Sequence, residues 1–362
     1  MIARRLALVL VSLAALAGCT HWKPLPNPST AALGFAGSDV QAGIFEVDIT
    51  PPSYLGMFGH GPESRVSVGT QLRLRCQAFV IIGARPEPGK PAEAVALVPC
   101  DLSSPSLLLQ REVARRVAEQ GTPIGAERIL LMATHTHMAP AHYFPAGNYN
   151  GPFSSRLTGF DPRVVEFLST RIAHAIVEAY THAQWAQLAW SQGPMSQRIT
   201  RNRNPLPLMR DRDVPDWLLK RIAADPLHPE EGAVDPTLSV LRIERYDAKA
   251  KKYVPYGAFA TVGMHPTAVP NTCDMYNSDV FGYATRYVEE KLGADAPGFV
   301  VGIANGIEGD VMPARNSAGQ REARRIGHRL ADEIIARHAL ATTLDRHAAV
   351  RVAYRELTLP NA

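Results

Sequence analysis

The chain has little net charge, few cysteines and no membrane-length apolar run near its start, and each shortage excludes a class of protein. Its 38 basic and 34 acidic residues nearly balance. Without a basic block or an aromatic-interleaved basic stripe, a nucleic-acid partner is disfavoured. The N-terminal apolar run, residues 6–17, is too short to span a bilayer. The four cysteines do not have the spacing of a paired-cysteine zinc motif. What remains is an ordinary globular chain.

Two large enzyme classes also lack their signatures. No Gly-x-Ser-x-Gly segment occurs, so the strained turn that presents the nucleophile of many serine hydrolases is not encoded. The nearest phosphate-loop candidate, residues 83–90, has one residue too many and continues into Pro91. A serine hydrolase and a nucleotide-binding enzyme are therefore both disfavoured.

The N-terminus has the pattern of an export signal. Arg4 and Arg5 precede the apolar run, whose length suits a signal-peptide core. The run ends in Leu16-Ala17-Gly18-Cys19, which resembles a bacterial lipoprotein cleavage box. The alternative is an ordinary secretory leader with a chance cysteine.

The lipoprotein interpretation has consequences for location. We expect a signal peptide over residues 1–18, a lipid on Cys19, and a Pro-containing tether over residues 19–41. The protein would be exported and anchored to a membrane by its acyl chains. Thr20 stands where an aspartate accompanies inner-membrane retention, which favours the outer membrane.

The three other cysteines allow two interpretations. Cys76 and Cys100 lie on successive predicted strands, and an oxidising compartment permits a disulfide between them. Buried free thiols fit equally well, and Cys273 has no assigned chemistry.

Apolar periodicity predicts an α/β fold with a central mixed β-sheet flanked by helices, in one large domain over residues 42–362. The predicted strands cover residues 43–49, 72–82, 94–100, 128–134, 237–246, 256–263, 298–304 and 348–357. The predicted helices cover residues 106–120, 162–183, 279–292 and 319–340. Residues 197–233, with weak periodicity, are expected to form a long loop over the site.

Histidines follow two of the predicted strands. Thr134-His135-Thr136-His137 ends one apolar run and His265 follows another. In a strand, side chains two apart share a face, so His135 and His137 can reach one pocket, and strand ends in α/β folds gather ligand sites. Neutral imidazole is a good zinc ligand. The pattern predicts a zinc-dependent hydrolase.

The motifs resemble those of the neutral (alkaline, non-lysosomal) ceramidases, zinc amidases that cleave the N-acyl bond of ceramide. The resemblance runs from about residue 43 to residue 329. The matching segments, in chain order, are Phe45-Glu46-Val47-Asp48-Ile49-Thr50-Pro51, Gly56-Met57-Phe58-Gly59, Thr134-His135-Thr136-His137, Asn202-Arg203-Asn204-Pro205, Val234-Asp235-Pro236-Thr237-Leu238, His265-Pro266-Thr267 and Gly309-Asp310-Val311-Met312-Pro313.

The resemblance implies roles for individual residues. His135 and His265 become zinc ligands, and His137 the imidazole that handles protons or stabilises the oxyanion. Arg203 becomes an electrophilic or substrate-positioning group, unless it belongs to a solvated loop. Asp310 is a catalytic candidate or a turn residue.

Further carboxylates are candidates beside these. Asp279 or Asp310 could orient a ligand imidazole. Glu308, Asp310 or Asp101 could complete the zinc sphere. The expected substrate is a lipid-like N-acyl compound. The other nine histidines are expected to be surface or satisfied core groups: His21, His60, His142, His174, His182, His228, His328, His338 and His347.

Two departures from the family pattern bear on activity. Met312 stands where the family has a serine, so a serine nucleophile cannot act there, although metal-activated water can. The family also completes its zinc sphere with a Glu and a Tyr well beyond this motif, and the chain ends at Ala362. A catalytic domain truncated at its C-terminus is expected. The alternative is an inactive or differently specific metal-binding lipoprotein of the same fold.

Overall fold

A computed structural model describes residues 38–84, 92–152, 154–211 and 214–356. The expected signal peptide, the lipid site at Cys19 and most of the tether lie outside these residues. Ser38 and Val40 are fully buried, so the folded part already includes the end of the expected tether. None of the helices described combines the length and apolarity needed to cross a membrane.

In the described residues, twelve β-strands are arranged in one large sheet and two small ones. The strands are β1 (Gln41–Asp48), β2 (Gly69–Thr70), β3 (Arg75–Ile82), β4 (Ala94–Cys100), β5 (Ile129–Ala133), β6 (Gln184–Pro194), β7 (Thr200–Asn202), β8 (Thr237–Asp247), β9 (Lys252–Val262), β10 (Met275–Tyr276), β11 (Val300–Asn305) and β12 (Val311–Pro313). The eight-stranded sheet has the order β11-β9-β8-β6-β1-β3-β4-β5. Only β11–β9 and β4–β5 pair in parallel there, so the predicted mixed sheet is confirmed.

Seven α-helices accompany the strands in the part of the chain that the structure describes. They are α1 (Leu107–Glu119), α2 (Pro162–Thr181), α3 (Pro205–Arg210), α4 (Asp216–Ala224), α5 (Pro229–Gly232), α6 (Asp279–Leu292) and α7 (Gln320–Leu340). Two of the long helices begin with a capping side chain: the Ser106 side chain accepts from the Leu109 amide in α1, and Asp161 caps α2 ahead of Pro162. The four long helices are α1, α2, α6 and α7, and their periodic apolar faces predicted them from the sequence.

Apolar residues alternate along the strands and divide the core in two. On β1, Val47 belongs to the cluster that also holds apolar residues of α1, α2, α6 and α7. Ile44, on the opposite face, belongs to a second cluster with Phe79 and Phe259. The chain after α7 packs on this second cluster through Val350. Helices therefore cover one face, and an irregular segment covers part of the other.

The large sheet curls strongly, because residues far apart in strand order touch across its second face. The Phe79 and Phe259 rings, on β3 and β9, lie 5.9 Å apart. A side chain at Gly302 on β11 would lie 2.4 Å from Phe79 and 2.7 Å from Pro99 on β4. Glycine is thus required at position 302 for the two ends of the sheet to approach.

Three sequence predictions need correction. Strand β6 is missing from the prediction because buried Gln187 interrupts its apolar pattern. In the structure the Gln187 side chain donates a hydrogen bond to the Glu244 carboxylate, which makes its burial possible. Residues 348–356 form no strand; they cross the sheet with one backbone bond, from Ala84 to Ala348. The expected loop over residues 197–233 contains β7 and three short helices.

The strand register brings two of the cysteines together. Cys76 and Cys100 face each other across β3 and β4, and their sulfurs are bonded. Cys273 is free and half-buried. The disulfide joins β3 and β4 at the end of β4. From there the chain continues toward His135 and His137.

Replacing Cys76 and Cys100 together by alanine should lower the free energy of unfolding by about 3 kcal/mol, because the closed loop spans 24 positions. Chemical denaturation with and without reductant measures the loss. Cys273→Ala is the control and should unfold like the parent protein. Equal stability of the double variant and the parent would contradict the disulfide.

Candidate metal centre

Three imidazoles meet where β5 and β9 end. The Nε2 atom of His135 lies 3.1 Å from that of His265 and 3.2 Å from that of His137. The three donor atoms all lie within 4.8 Å of one another. Such crowding of nitrogen donors is the arrangement that a borderline-soft cation stabilises.

His135 and His137 do not lie on a strand, so the alternation of side chains along a strand does not explain why both enter the pocket. Strand β5 ends at Ala133, and His135 has a φ of 67°, in the left-handed region where a non-glycine residue is strained. Its amide donates to the Leu102 carbonyl at 2.9 Å, which fixes this turn. The expected extended geometry is therefore wrong at His135, although both rings still enter one pocket.

The outer ring nitrogens distinguish the three histidines. Nδ1 of His135 contacts the Ser103 carbonyl, and Nδ1 of His265 donates to the Glu308 carbonyl at 2.7 Å. A carbonyl partner keeps the proton on Nδ1 and leaves the Nε2 lone pair free for a metal. Nδ1 of His137 is buried and has no hydrogen-bond partner among the described residues. Backbone carbonyls thus hold the outer nitrogens of His135 and His265, whereas that of His137 has no such partner among the described residues.

The environment of His137 keeps it neutral. Burial lowers its pKa to about 2, helped by the nearby charges of His60, His135, His265 and Arg203. A neutral imidazole can accept a proton from a reacting group, which an imidazolium cannot.

Glu308 brings a carboxylate to the same pocket. Its Oε2 lies 2.5 Å from Nδ1 of His265, and its Oε1 lies 3.9 Å from Nε2 of His135. Oε2 is buried without a hydrogen bond, because the Nδ1–H is already directed to the Glu308 carbonyl. Burial raises the pKa of Glu308, but contacts with His265, His135 and Arg203 outweigh it and lower the pKa. Two fixed imidazoles beside an unsatisfied carboxylate oxygen fit zinc.

The other candidate carboxylates accept hydrogen bonds from groups outside the imidazole cluster. Asp101 accepts from the Arg75 amide at 2.9 Å, and Asp310 accepts from the Asn202 side chain at 2.7 Å. Asp279 is fully buried and accepts from the Val269 amide at 2.8 Å, so it fixes the loop after His265 and not the imidazole. None of the three belongs to the imidazole cluster.

Arg203 lies at the opening of the pocket. Its backbone amide donates to the Asp310 carbonyl at 2.7 Å, next to the pairing of β7 with β12. Its side chain is exposed, and its charge contributes to the low pKa of His137 after burial and the neighbouring histidines. Met312 lies opposite Arg201 in this pairing. The two motifs that carry Arg203 and Met312 are therefore neighbours in space.

Asn305, at the end of β11, joins the two histidine segments, and sequence analysis did not identify it. Its Nδ2 donates to the Thr134 carbonyl at 3.0 Å and to the Met264 carbonyl at 2.8 Å, and its Oδ1 accepts from the Met264 amide at 3.0 Å. Thr134 and Met264 immediately precede His135 and His265. One side chain therefore sets the spacing of the two ligands.

His60 and Gly59 were also missed as neighbours of the pocket. The His60 ring meets the His137 ring edge-on, with centroids 4.7 Å apart, and its Nε2 is buried without a partner. A side chain at Gly59 would lie 2.5 Å from the His137 ring. The φ of 119° at Gly59 adds a second reason for glycine there. By contrast, His142 is satisfied at both nitrogens, as expected.

The fold and the pocket define an α/β protein with a histidine-lined candidate metal centre at its strand ends. Residues 40–327 match the model of the neutral/alkaline non-lysosomal ceramidase family, N-terminal part. The chain therefore belongs to this family, as its motifs indicated.

Relatives with described names agree with the family assignment. Neutral ceramidase A of Dictyostelium discoideum is 26% identical over 294 residues, 76% of this chain and 36% of that protein. Neutral ceramidase of Pseudomonas aeruginosa is 24% identical over 276 residues, 76% of this chain and 37% of that protein. The crystal structure of the Pseudomonas protein shares the fold, with a TM-score of 0.71 at 23% identity over 85% of this chain and 46% of that one. The chain spans less than half the length of these relatives.

Asn305→Ala should lower zinc affinity by about 10–100-fold, the usual loss when a supporting hydrogen-bond partner of a ligand is removed. Competition with a chromophoric chelator measures the affinity. The control is Asn271→Ala, because the Asn271 side chain hydrogen-bonds only to exposed Glu63 among the described contacts. A folded Asn305→Ala protein with unchanged zinc affinity would contradict the role of Asn305.

Proposed function

We propose that the chain is the catalytic domain of a zinc-dependent amidohydrolase that cleaves the N-acyl amide of ceramide or a similar lipid. The observation that carries this proposal is the convergence of His135, His137 and His265 on one pocket, with the Glu308 carboxylate beside His135 and His265, in a member of the ceramidase family. Because the chain spans only part of its named relatives, its activity is a proposal of our own.

The metal would be held by Nε2 of His135, Nε2 of His265 and the carboxylate of Glu308. Zinc, when bound, lowers the pKa of a water ligand to about 7 and polarises a carbonyl. The expected aspartate ligands are replaced by Glu308 in this proposal, since both Asp101 and Asp310 have other partners.

The remaining groups act on the substrate. Neutral His137, held against Gly59 and His60, receives a proton at Nε2 and returns it to the leaving nitrogen. The exposed guanidinium of Arg203 is placed to stabilise negative charge on the acyl oxygen. Met312 has no hydroxyl to act as nucleophile, which is consistent with attack by water.

An aromatic pocket next to the imidazoles suits an acyl chain. A cavity of about 390 Å³ is lined by Phe58, Gly59, Asn148, Tyr149 and Ser154. Phe58 and Tyr149 both stack on Phe144, each pair with centroids 5.1 Å apart. Gly59 separates this cavity from the ring of His137. Apolar walls that bury methylene groups favour a lipid-like substrate.

The N-terminal leader sequence is the basis for a proposal about where the protein is located. We propose export and anchoring through acylated Cys19, in the outer membrane, on the basis of the cleavage box and of Thr20 alone. An amidase held at a membrane would be close to N-acyl lipids.

One alternative has a specific observation behind it. Met312 replaces the serine of the family motif, which is compatible with a protein that binds metal but does not turn over ceramide. Zinc content cannot separate the two functions, whereas release of fatty acid from an N-acylsphingosine can.

His135→Ala and His137→Ala should lose activity for different reasons. Both variants should release fatty acid from N-acylsphingosine at least about 100-fold more slowly than the parent. For His137→Ala the reason is loss of a positioned proton-transfer group, which costs about 10²–10⁴-fold. For His135→Ala the reason is loss of a ligand of the metal that activates water. His135→Ala should also lose its zinc, and His137→Ala should keep it. The control is His182→Ala, at a side chain 65% exposed. An inactive parent protein loaded with zinc would favour the alternative function.

Tyr149→Ala should reduce kcat/KM about tenfold for long-chain N-acyl substrates and little for N-acetyl ones, since about 1.4 kcal/mol of aromatic contact is lost only with a long chain. Steady-state kinetics with an acyl-length series measure the difference. Tyr354→Ala is the control, at a tyrosine of similar exposure, 58% against 51%. An equal loss for all chain lengths would contradict the acyl pocket.

A further inference from the structure

Ser103 carries a buried hydroxyl that the proposed mechanism does not use. The residue lies shortly after the end of β4 and is fully buried. Its Oγ donates a hydrogen bond to the Thr136 carbonyl at 2.7 Å and lies 3.2 Å from the Phe58 carbonyl. Neither carbonyl accepts from another donor among the described residues. Because the carbonyl groups of buried residues need a donor, this hydroxyl serves two segments of the chain.

The first of these segments carries two of the three clustered histidines. Thr136 lies between His135 and His137, and the backbone carbonyl of Ser103 contacts Nδ1 of His135. Thr136 is fully buried, and its own hydroxyl donates to the Asn277 carbonyl at 2.6 Å. Ser103 therefore holds the histidine segment at two points: its backbone contacts one ring, and its hydroxyl bonds to the peptide group between the two histidines.

The second segment forms a wall of the aromatic cavity. Phe58 lines this cavity, and the next residue, Gly59, lies against the ring of His137. The amide of Phe58 donates to the Ala139 carbonyl at 3.0 Å, so this segment is also tied to the chain that follows the histidines. The hydroxyl of Ser103 thus lies between the backbone of the cavity wall and the backbone of the histidine segment.

We propose that Ser103 is a positioning residue that fixes the distance between the acyl pocket and the metal centre. A substrate held at both ends must place its amide accurately, since a misplacement of about 1 Å can cost about 100-fold in rate. The hydroxyl keeps Phe58 and Thr136 in register. A substrate with a short acyl group is held at the metal alone and escapes this constraint. The inference rests on the proposed amidase function and its acyl pocket.

Binding of hydroxamates to the zinc-loaded full chain tests this role without turnover. A hydroxamate coordinates zinc through its oxygens, while its acyl group is free to enter the pocket. The parent protein should bind a long-chain acyl hydroxamate at least about tenfold more tightly than acetohydroxamate, because only the long chain gains the aromatic contact. A parent protein with equal affinity for the two probes would overturn the proposal.

Ser103→Ala should reduce this preference for the long chain about fivefold, the size of one net hydrogen bond. Its affinity for acetohydroxamate and for zinc should stay at the parent values, because the backbone carbonyl next to His135 remains. An unchanged chain-length preference would overturn the proposal. Loss of zinc from the variant would also overturn it, since the hydroxyl would then act on metal binding instead.

Two comparisons separate positioning from a purely structural role. Ser38→Ala is the matched control, because Ser38 is also fully buried and its hydroxyl donates to a backbone carbonyl, that of Ala186, at 2.7 Å. It should keep the parent preference. Ser103→Thr and Ser103→Val have nearly the same shape and differ in the hydroxyl. The threonine variant should keep the preference and the valine variant should lose it; equal values in this pair would contradict the role of the hydroxyl.

The positioning role and the amidase function can fail separately. Suppose that the zinc-loaded parent prefers the long-chain hydroxamate, that Ser103→Ala does not, and that no fatty acid is released from N-acylsphingosine. The amidase would then be contradicted and the role of Ser103 supported. Release of fatty acid by the parent, with the full preference retained in Ser103→Ala, would support the amidase and overturn the role of Ser103.

Discussion

The candidate metal centre depends on the curl of the eight-stranded sheet. His135 follows β5 at one edge, and His265 follows β9, six positions away in the sheet order. A flat sheet would hold these strand ends about 28 Å apart at the usual strand spacing. Here the two Nε2 atoms are 3.1 Å apart. The contact of β11 with β3 and β4, which only glycine at position 302 allows, and the hydrogen bonds of Asn305 close that distance.

The three histidines that meet in this curled sheet differ in the hydrogen-bond partners of their rings. His135 and His265 each have a backbone carbonyl behind the ring, so their metal-facing nitrogens are fixed before any ion binds. His137 has Gly59 and His60 around it and no such partner. In the proposed amidase, the rigid pair of donors would hold the metal, and the neutral imidazole beside them would carry a proton only transiently.

Sequence patterns predicted the long helices and most of the strands, and pointed to the histidines, because these signals are encoded locally. The long helices follow from apolar periodicity, and the histidines from their place after apolar strands. Asn305 could not be found this way, because its partners Thr134 and Met264 lie 171 and 41 positions away. Strand β6 was hidden by buried Gln187, and the turn at His135 depends on the Leu102 carbonyl. His60 was assigned to the background because an edge-on ring contact has no sequence pattern.

The zinc X-ray absorption spectrum of the metal-loaded full chain tests the central claim most directly. The account predicts nitrogen and oxygen scatterers at about 2.0–2.2 Å, with the outer-shell signature of two imidazoles. The imidazole signature should weaken in His265→Ala. A spectrum with sulfur at about 2.3 Å, or one unchanged by His265→Ala, would place the metal elsewhere and contradict the account.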